Sequence, residues 1–144
     1  MHDPVGYLPD VSVAVVGVQH PNADGSNRRF AISLCVPGDP VYLRLEPTNP
    51  VDPYAIAVFN GNDMQMGYIV AVRAQRIGDV MREGRDWRAV FQRSTEFGAW
   101  IRMSFDGEDP VLTPAMIAAS AEAPDTEGVD PENDFYPDEI WPDD

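Results

Sequence analysis

The chain has 144 residues, a hydrophobic fraction of 44% and a formal net charge of −14. This length suits one globular domain with its own core and is too short for two. No apolar run reaches the ~20 residues of a membrane-spanning helix, and the N-terminus lacks the pattern of a signal peptide, so we expect a cytoplasmic protein. The one cysteine, Cys35, lies in an apolar segment, which favours a packed side chain over a nucleophile.

The charged residues divide the chain into two parts. All ten basic residues are arginines. Residues 1–102 contain 11 acidic and 10 basic residues, a net charge of −1, whereas residues 103–144 contain 13 acidic residues and no basic one. Because the body is nearly neutral, the acidic composition of the whole chain does not exclude nucleic acid as a ligand.

Hydrophobic patterning predicts five short β-strands in the first half of the chain. In chain order they are Val11–Val18, Phe30–Val36, Val41–Leu45, Ala55–Phe59 and Met64–Ile69. The second of these rests on strict alternation of apolar residues with smaller ones. A Pro-Gly-Asp turn at 37–39 and an Asn-Gly-Asn-Asp hairpin signal at 60–63 separate neighbouring strands.

The spacing of the apolar residues changes after the fifth predicted strand. Apolar residues three to four apart, with charged residues between them, predict an amphipathic helix over Val72–Glu83 that ends at Gly84. Two further strands are predicted at Trp87–Gln92 and Ala99–Phe105. A Thr-Pro pair at 113–114 then predicts the N-cap and first residue of a short helix that continues to residue 121.

Seven short strands with few helices predict the fold class. They favour a mainly β protein, a small SH3- or OB-like β-barrel of six to seven strands with one or two helices. The predicted organisation is an N-terminal lead at 1–10, the barrel at 11–106, a linker with a short helix at 107–121 and an acidic, flexible tail at 122–144.

The motifs of several enzyme and metal-binding classes are absent from the sequence. Two histidines and one cysteine have no spacing that resembles a zinc site, and there is no phosphate-binding loop, dinucleotide fingerprint or nucleophile elbow. Most carboxylates lie in the tail, and no second group is evident beside Asp52 for acid–base chemistry. We therefore expect no catalysis, no cofactor and no metal ion.

The most specific stretch of the sequence is the segment from Leu45 to Val58, LEPTNPVDPYAIAV. A proline follows both Asn49 and Asp52, which restricts these two residues to extended conformations and predicts a stiff corner. A stiff corner can hold a polar group in place for a ligand. The two side chains can equally serve their own backbone as Asx-turn groups.

This stretch resembles the signature of the HIRAN domain, in which the order is R/L-E/D-P-x-N-P-x-D-x-x-A-I-x-V. Three other landmarks of that family occur in the expected order: an opening strand at Val15–Val18, a Gly-Tyr element at Met66–Ile69 and a closing strand at Met103–Phe105. The resemblance covers about residues 11–106. It implies a small β-barrel with helices that binds the 3′ end of single-stranded DNA.

The resemblance also implies a set of contacts to the nucleic acid. The aspartate that hydrogen-bonds the terminal 3′-hydroxyl falls at Asp52, and aromatic side chains fall at Tyr68 and Phe97. Stacking of a base on an aromatic ring contributes roughly 1–3 kcal/mol. The complete set of predicted nucleic-acid-binding residues is Gln19, His20, Asn49, Asp52, Tyr68, Arg73, Arg76 and Phe97.

Several positions depart from the DNA-binding relatives. Gln19 and His20 stand in place of an Arg-Tyr pair, Val51 replaces a further tyrosine, and Ala71 replaces a lysine. Two arginines of the predicted helix are close enough to substitute for that lysine. Between residues 73 and 102 there are seven arginines and four acids, which suits either a phosphate track or a solvated helix face with ion pairs.

The segment 122–144 has ten acidic residues, four prolines and no basic residue, a composition typical of disorder. It also carries four large apolar side chains, which are Phe135, Tyr136, Ile140 and Trp141. Acids interleaved with aromatics suit a docking segment, because charge steers the encounter and an aromatic anchor supplies affinity. Its target is either a basic, DNA-processing partner or the chain's own arginine-bearing face; a third interpretation is a solubilising tail.

Two classes of function follow from these features. The first is recognition of single-stranded DNA ends in DNA repair or mobile-element biology. The second is a protein-interaction adaptor, or a DNA-mimic regulator, that acts through the acidic aromatic tail. The substitutions at Gln19 and His20 favour the second class, and the intact Asp52 favours the first.

Overall fold

The computed structural model describes residues 8–118 of the chain. Six strands form one antiparallel sheet in the order β2-β3-β4-β1-β6-β5, which curls into a half-barrel. The strands are β1 (Val11–Val16), β2 (Tyr42–Leu45), β3 (Ile56–Phe59), β4 (Gln65–Ile69), β5 (Arg88–Ser94) and β6 (Ala99–Ser104). The helices are α1 (Arg28–Ser33), α2 (Ala71–Arg82) and α3 (Pro114–Ile117). The predicted fold class is confirmed.

The core lies beneath the central strand β1, which pairs with β4 on one side and with β6 on the other. Val13 of β1 pairs with Ile101 of β6, and both side chains are fully buried. Helix α2 packs its apolar stripe, Ala74, Ile77 and Val80, against the same core. No helix in the described residues is long and apolar enough to span a membrane.

The segment directly before the edge strand β2 pairs briefly with the other edge strand, β5. The N–H groups of Gly38 and Val41 donate to the carbonyl groups of Phe91 and Ala89 at 2.8 and 3.0 Å, and the Phe91 N–H donates to Asp39 O at 2.7 Å. Strand β2 itself pairs with β3, and β5 pairs with β6 along its length. The sheet therefore closes over a few residues and stays open elsewhere.

The predicted strand Phe30–Val36 is wrong, because residues 28–33 form helix α1. The side chain of Asn27 caps the helix by accepting the N–H of Phe30 at 2.9 Å. Ala31 and Ile32, adjacent in sequence, are both buried, which a helix packed on the sheet allows. Three of the side chains that alternation had placed inward are exposed instead: Phe30 (54%), Leu34 (43%) and Val36 (58%).

The other six predicted strands are present, with ends that differ by one to two residues. Helix α2 begins and ends one residue earlier than predicted, and Gly84, which follows its C-cap Glu83, is in the left-handed region at φ 86°. Thr113 caps α3, whose last residue is Ile117, four short of the predicted end; residues 119–121 lie outside the described residues. Residues 1–7 and the predicted tail at 122–144 also lie outside them.

Candidate nucleic-acid interface

Asn49 holds together the corner between β2 and β3. Its side-chain oxygen accepts the N–H groups of Val51 at 2.8 Å and Asp52 at 3.1 Å. Its amide nitrogen donates to Oε1 of Glu46 at 3.0 Å. In this arrangement Asn49 serves its own loop as an Asx-turn group, so we assign it the role of shaping the corner.

Asp52 is half-buried and only partly used by the corner. Its Oδ1 accepts the N–H of Tyr54 at 2.8 Å, and its main-chain oxygen accepts the N–H of Ala55 at 3.0 Å. Among the described residues no donor contacts the second carboxylate oxygen. The side chain is therefore held by one oxygen, while the other can accept a hydrogen bond from a ligand.

Tyr68 connects the C-terminal part of β4 to this corner. Its hydroxyl donates to Oε1 of Glu46 at 2.8 Å, the oxygen that also accepts from Asn49. The ring is 5% exposed and packs with Ala55 and Ala57, so it has little surface for a base to stack on. Burial, together with the hydrogen bond to Glu46, raises the pKa of the Tyr68 phenol well above its ordinary value.

Beside Tyr68 lies a fully buried guanidinium that the sequence did not indicate. Arg28 donates through Nε to Oδ1 of Asn22 at 2.7 Å and through Nη1 to the carbonyl of Gly17 at 2.8 Å. Its Cζ atom is 5.4 Å from the centroid of the Tyr68 ring. Because a buried charge is costly without partners, these contacts fix helix α1 to the end of β1.

Gln19 and His20 follow the end of β1 and differ in exposure. Gln19 is exposed to solvent, whereas His20 is 9% exposed. The main-chain N–H of His20 donates to the carbonyl of Gly17 at 3.3 Å. Of this pair, only Gln19 presents its side chain to solvent. The predicted roles of both residues in binding stay predictions.

Phe97 lies in the connection between β5 and β6 and is half-buried. Its ring packs edge-to-face on Trp100, with the centroids 5.6 Å apart and the planes at 89°. The guanidinium of Arg29 secures this connection by donating to the carbonyl groups of Thr95 and Glu96, both at 2.6 Å. The adjacent Gly98 approaches β1 closely, so Phe97 lies beside the end of that strand.

Arg73 and Arg76 lie in the first two turns of α2, where Arg73 is half-buried and Arg76 exposed. The helix begins without a side-chain cap and with no acidic residue in its first turn. Its first residue, Ala71, packs against the small cluster that contains Tyr68. The positive end of the helix dipole therefore adjoins the corner, a setting that favours phosphate.

Tyr54 was missed by the sequence analysis. It is 44% exposed, and its N–H is the group that holds the Asp52 carboxylate. The family signature directed attention to position 51, where a half-buried valine stands. The available signal was an aromatic residue two positions after the aspartate, inside a segment already expected to be a rigid loop.

The four predicted partner-binding residues, Phe135, Tyr136, Ile140 and Trp141, lie outside the described residues. Within the described part of the chain there is no group of three or more His, Cys, Asp or Glu side chains that could hold a metal ion. The candidate residues within the described part of the chain are therefore one carboxylate corner, exposed or half-buried aromatics and two arginines of α2.

A curled antiparallel half-barrel with polar and aromatic groups on its connecting loops has the architecture of a ligand-binding module. The chain belongs to the HIRAN domain family, whose model matches residues 8–105. HIRAN domains are a family of nucleic-acid-binding modules.

Two solved structures share the fold. The HIRAN domain of human HLTF superposes with a TM-score of 0.54 at 23% identity, over 67% of this chain and 74% of that one. A Lactobacillus plantarum protein from a structural genomics consortium gives a TM-score of 0.52 at 20% identity, over 67% of this chain and 97% of that one. No sequence match was found among curated proteins.

Proposed function

We propose that this chain is a non-enzymatic module that binds the 3′ end of single-stranded DNA in DNA repair or mobile-element biology. The observation that carries the proposal is the state of Asp52. One of its oxygens is fixed by the Tyr54 N–H at 2.8 Å, and the other has no donor among the described residues. A carboxylate held in this way accepts a hydrogen bond from a terminal hydroxyl.

The charge of Asp52 supplies selectivity for an end. A terminal hydroxyl can donate to the carboxylate, whereas a phosphodiester at the same place would bring a second negative charge beside it. The same carboxylate that favours the last nucleotide therefore disfavours an internal one. A single acidic residue can therefore belong to a nucleic-acid site.

The remaining affinity comes from stacking and from phosphate contacts. Tyr54, at 44% exposure beside Asp52, supplies a stacking surface, and Phe97 supplies a second, half-buried one. Arg73 and Arg76, near the start of α2, are the candidates for the phosphates. Tyr68 has a supporting role in this proposal, because its ring is buried and its hydroxyl holds Glu46.

The test compares one oligonucleotide sequence in linear and circular form, because a single-stranded circle has no 3′ end. The full chain, at low salt, should bind the linear strand at least about tenfold more tightly than the circle. With two arginines at the phosphates, log K should fall with log salt at a slope near −1.4. Equal affinity for both forms would exclude recognition of the 3′ end. The absence of binding to either form would exclude single-stranded DNA as the ligand.

A further inference from the structure

A groove opens where the edge strands β2 and β5 separate, at the end of β2 away from the Asn49–Asp52 corner. The last hydrogen bond between the edges runs from Val41 N–H to Ala89 O at 3.0 Å. Beside it, β2, β5 and the residues after β6 border a groove with a volume of about 490 Å³. Its lining includes Val41, Tyr42, Trp87, Arg88, Asp109 and Pro110.

The walls of this groove are apolar and aromatic. Tyr42 is 49% exposed and Trp87 is half-buried. Val111, directly after the groove residue Pro110, is 74% exposed. The volume lies within the range of roughly 300–1,000 Å³ that is typical of ligand-binding sites. Edge strands that end their pairing beside such a space suit an extended peptide, which can continue the sheet.

The rim of the groove is acidic. Arg88 is the one cation that lines it, and its guanidinium contacts the carboxylates of Asp86 at 3.9 Å and Asp109 at 3.3 Å. The loop 106–109 adds two more acids and is tied to Asp86, whose carbonyl accepts the N–H of Gly107 at 2.9 Å. Two carboxylates therefore contact one guanidinium, two more acids lie in the same loop, and both Asp86 (69%) and Asp109 (75%) are largely exposed.

We infer that this groove binds an extended, arginine- or lysine-rich peptide segment of a partner protein. Charge complementarity selects the occupant, because the rim attracts cations and repels both nucleic acid and the chain's own segment 122–144, with ten acids and no base. A guanidinium or ammonium group gains further from the faces of Tyr42 and Trp87. The inference does not depend on DNA binding, since the groove and the Asp52 corner lie at opposite ends of β2.

A library of random displayed peptides of about 12 residues, selected against the full chain, tests this inference. Enriched peptides should carry at least about two basic residues. The affinity for a synthesised peptide of the selected sequence should fall at least about tenfold in D109R and Y42A, two changes at exposed positions. The same affinity should stay unchanged in Y54A, at the candidate DNA interface. Enrichment of acidic or uncharged peptides, or equal binding by the groove variants, would overturn the inference.

Two further measurements identify a different occupant. A synthetic peptide of residues 122–144 that competes with the selected peptide would show that the groove belongs to the chain's own acidic segment. Self-association in sedimentation that disappears in Y42A would show that it belongs to a second copy. Either result would contradict a basic partner. Thermal unfolding of both groove variants near the wild-type midpoint establishes that their folds are intact.

Discussion

The hydroxyl of Tyr68 donates a 2.8 Å hydrogen bond to the carboxylate of Glu46, joining the C-terminal part of strand β4 to the corner that precedes β3. The same Glu46 oxygen accepts the amide of Asn49 at 3.0 Å, and Asn49 in turn accepts the N–H of Asp52. A chain of hydrogen bonds thus runs from the buried sheet to the main-chain N–H of Asp52, the residue that carries the candidate ligand-binding carboxylate. The orientation of Asp52 depends on this support as well as on its own loop.

Tyr68→Phe should weaken this support without changing the shape of the core. Loss of the hydroxyl leaves Glu46 with one donor fewer, so the free energy of unfolding should fall by about 1 kcal/mol. Chemical denaturation measures this change, with Tyr42→Phe as the matched control, because Tyr42 is 49% exposed and no hydrogen bond of its hydroxyl is found among the described residues. Equal stability of the two variants would show that the Tyr68–Glu46 contact does not stabilise the fold.

Tyr54→Ala should reduce affinity for single-stranded DNA by roughly 1–3 kcal/mol, the value of one stacked base. Tyr54→Phe keeps the ring and should bind nearly as well as the wild type. Tyr42→Ala removes a similarly exposed tyrosine at the far end of β2 and should leave the affinity unchanged. Fluorescence anisotropy with one labelled oligonucleotide compares all three, and an unchanged affinity of the Tyr54→Ala variant would exclude this ring from the interface.

Gly67→Ala should destabilise the fold by on the order of 3 kcal/mol. Gly67 has φ 148°, and a Cβ atom there would lie 2.4 Å from the main-chain oxygen of Val16. The β4 strand could accept an alanine only by moving away from β1. Gly61 offers the control, because no atom lies within 4 Å of an added Cβ and its alanine variant should stay within about 0.5 kcal/mol of the wild type.

Cys35 should react slowly with thiol reagents. Burial, with a smaller effect from the Asp39 carboxylate, raises the pKa of the Cys35 thiol from 9.0 to about 11. Since the thiolate is the reactive species, its fraction at pH 8 falls by about 100-fold, and the rate of alkylation should fall similarly. The unfolded protein in denaturant provides the reference rate, and equal rates in the two states would contradict the assigned burial.

The sheet could be predicted from the sequence because its strands carry strong β-branched or alternating patterns. Helix α1 could not, since the apolar residues in and just after it, Phe30, Ile32 and Leu34, also fit the alternating pattern of a strand. Tertiary contacts decide that this segment forms a helix. Arg28 is fully buried against Asn22 and Gly17, and this arrangement requires a helix that packs over the end of β1.

The candidate site was only partly predictable, because sequence position does not reveal which polar atoms are already used. Asn49 and Asp52 lie in one short motif, yet the first satisfies its own loop and the second keeps a carboxylate oxygen available among the described residues. Tyr68 meets Glu46 across 22 residues of chain, a distance at which periodicity carries no information. Exposure therefore distinguishes Tyr54 from Tyr68 where residue type alone does not.

The hydrogen bond proposed between Asp52 and a terminal 3′-hydroxyl can be measured through four affinities. The affinities of the wild type and Asp52→Asn are compared for oligonucleotides that end in a 3′-hydroxyl or a 3′-deoxy sugar. A hydrogen bond to a charged group is worth about 1.5–3 kcal/mol, so the wild type should prefer the hydroxyl by roughly 10- to 100-fold. The variant should lose most of that preference. A wild type that binds both ends equally, or a variant that keeps the full preference, would contradict the account.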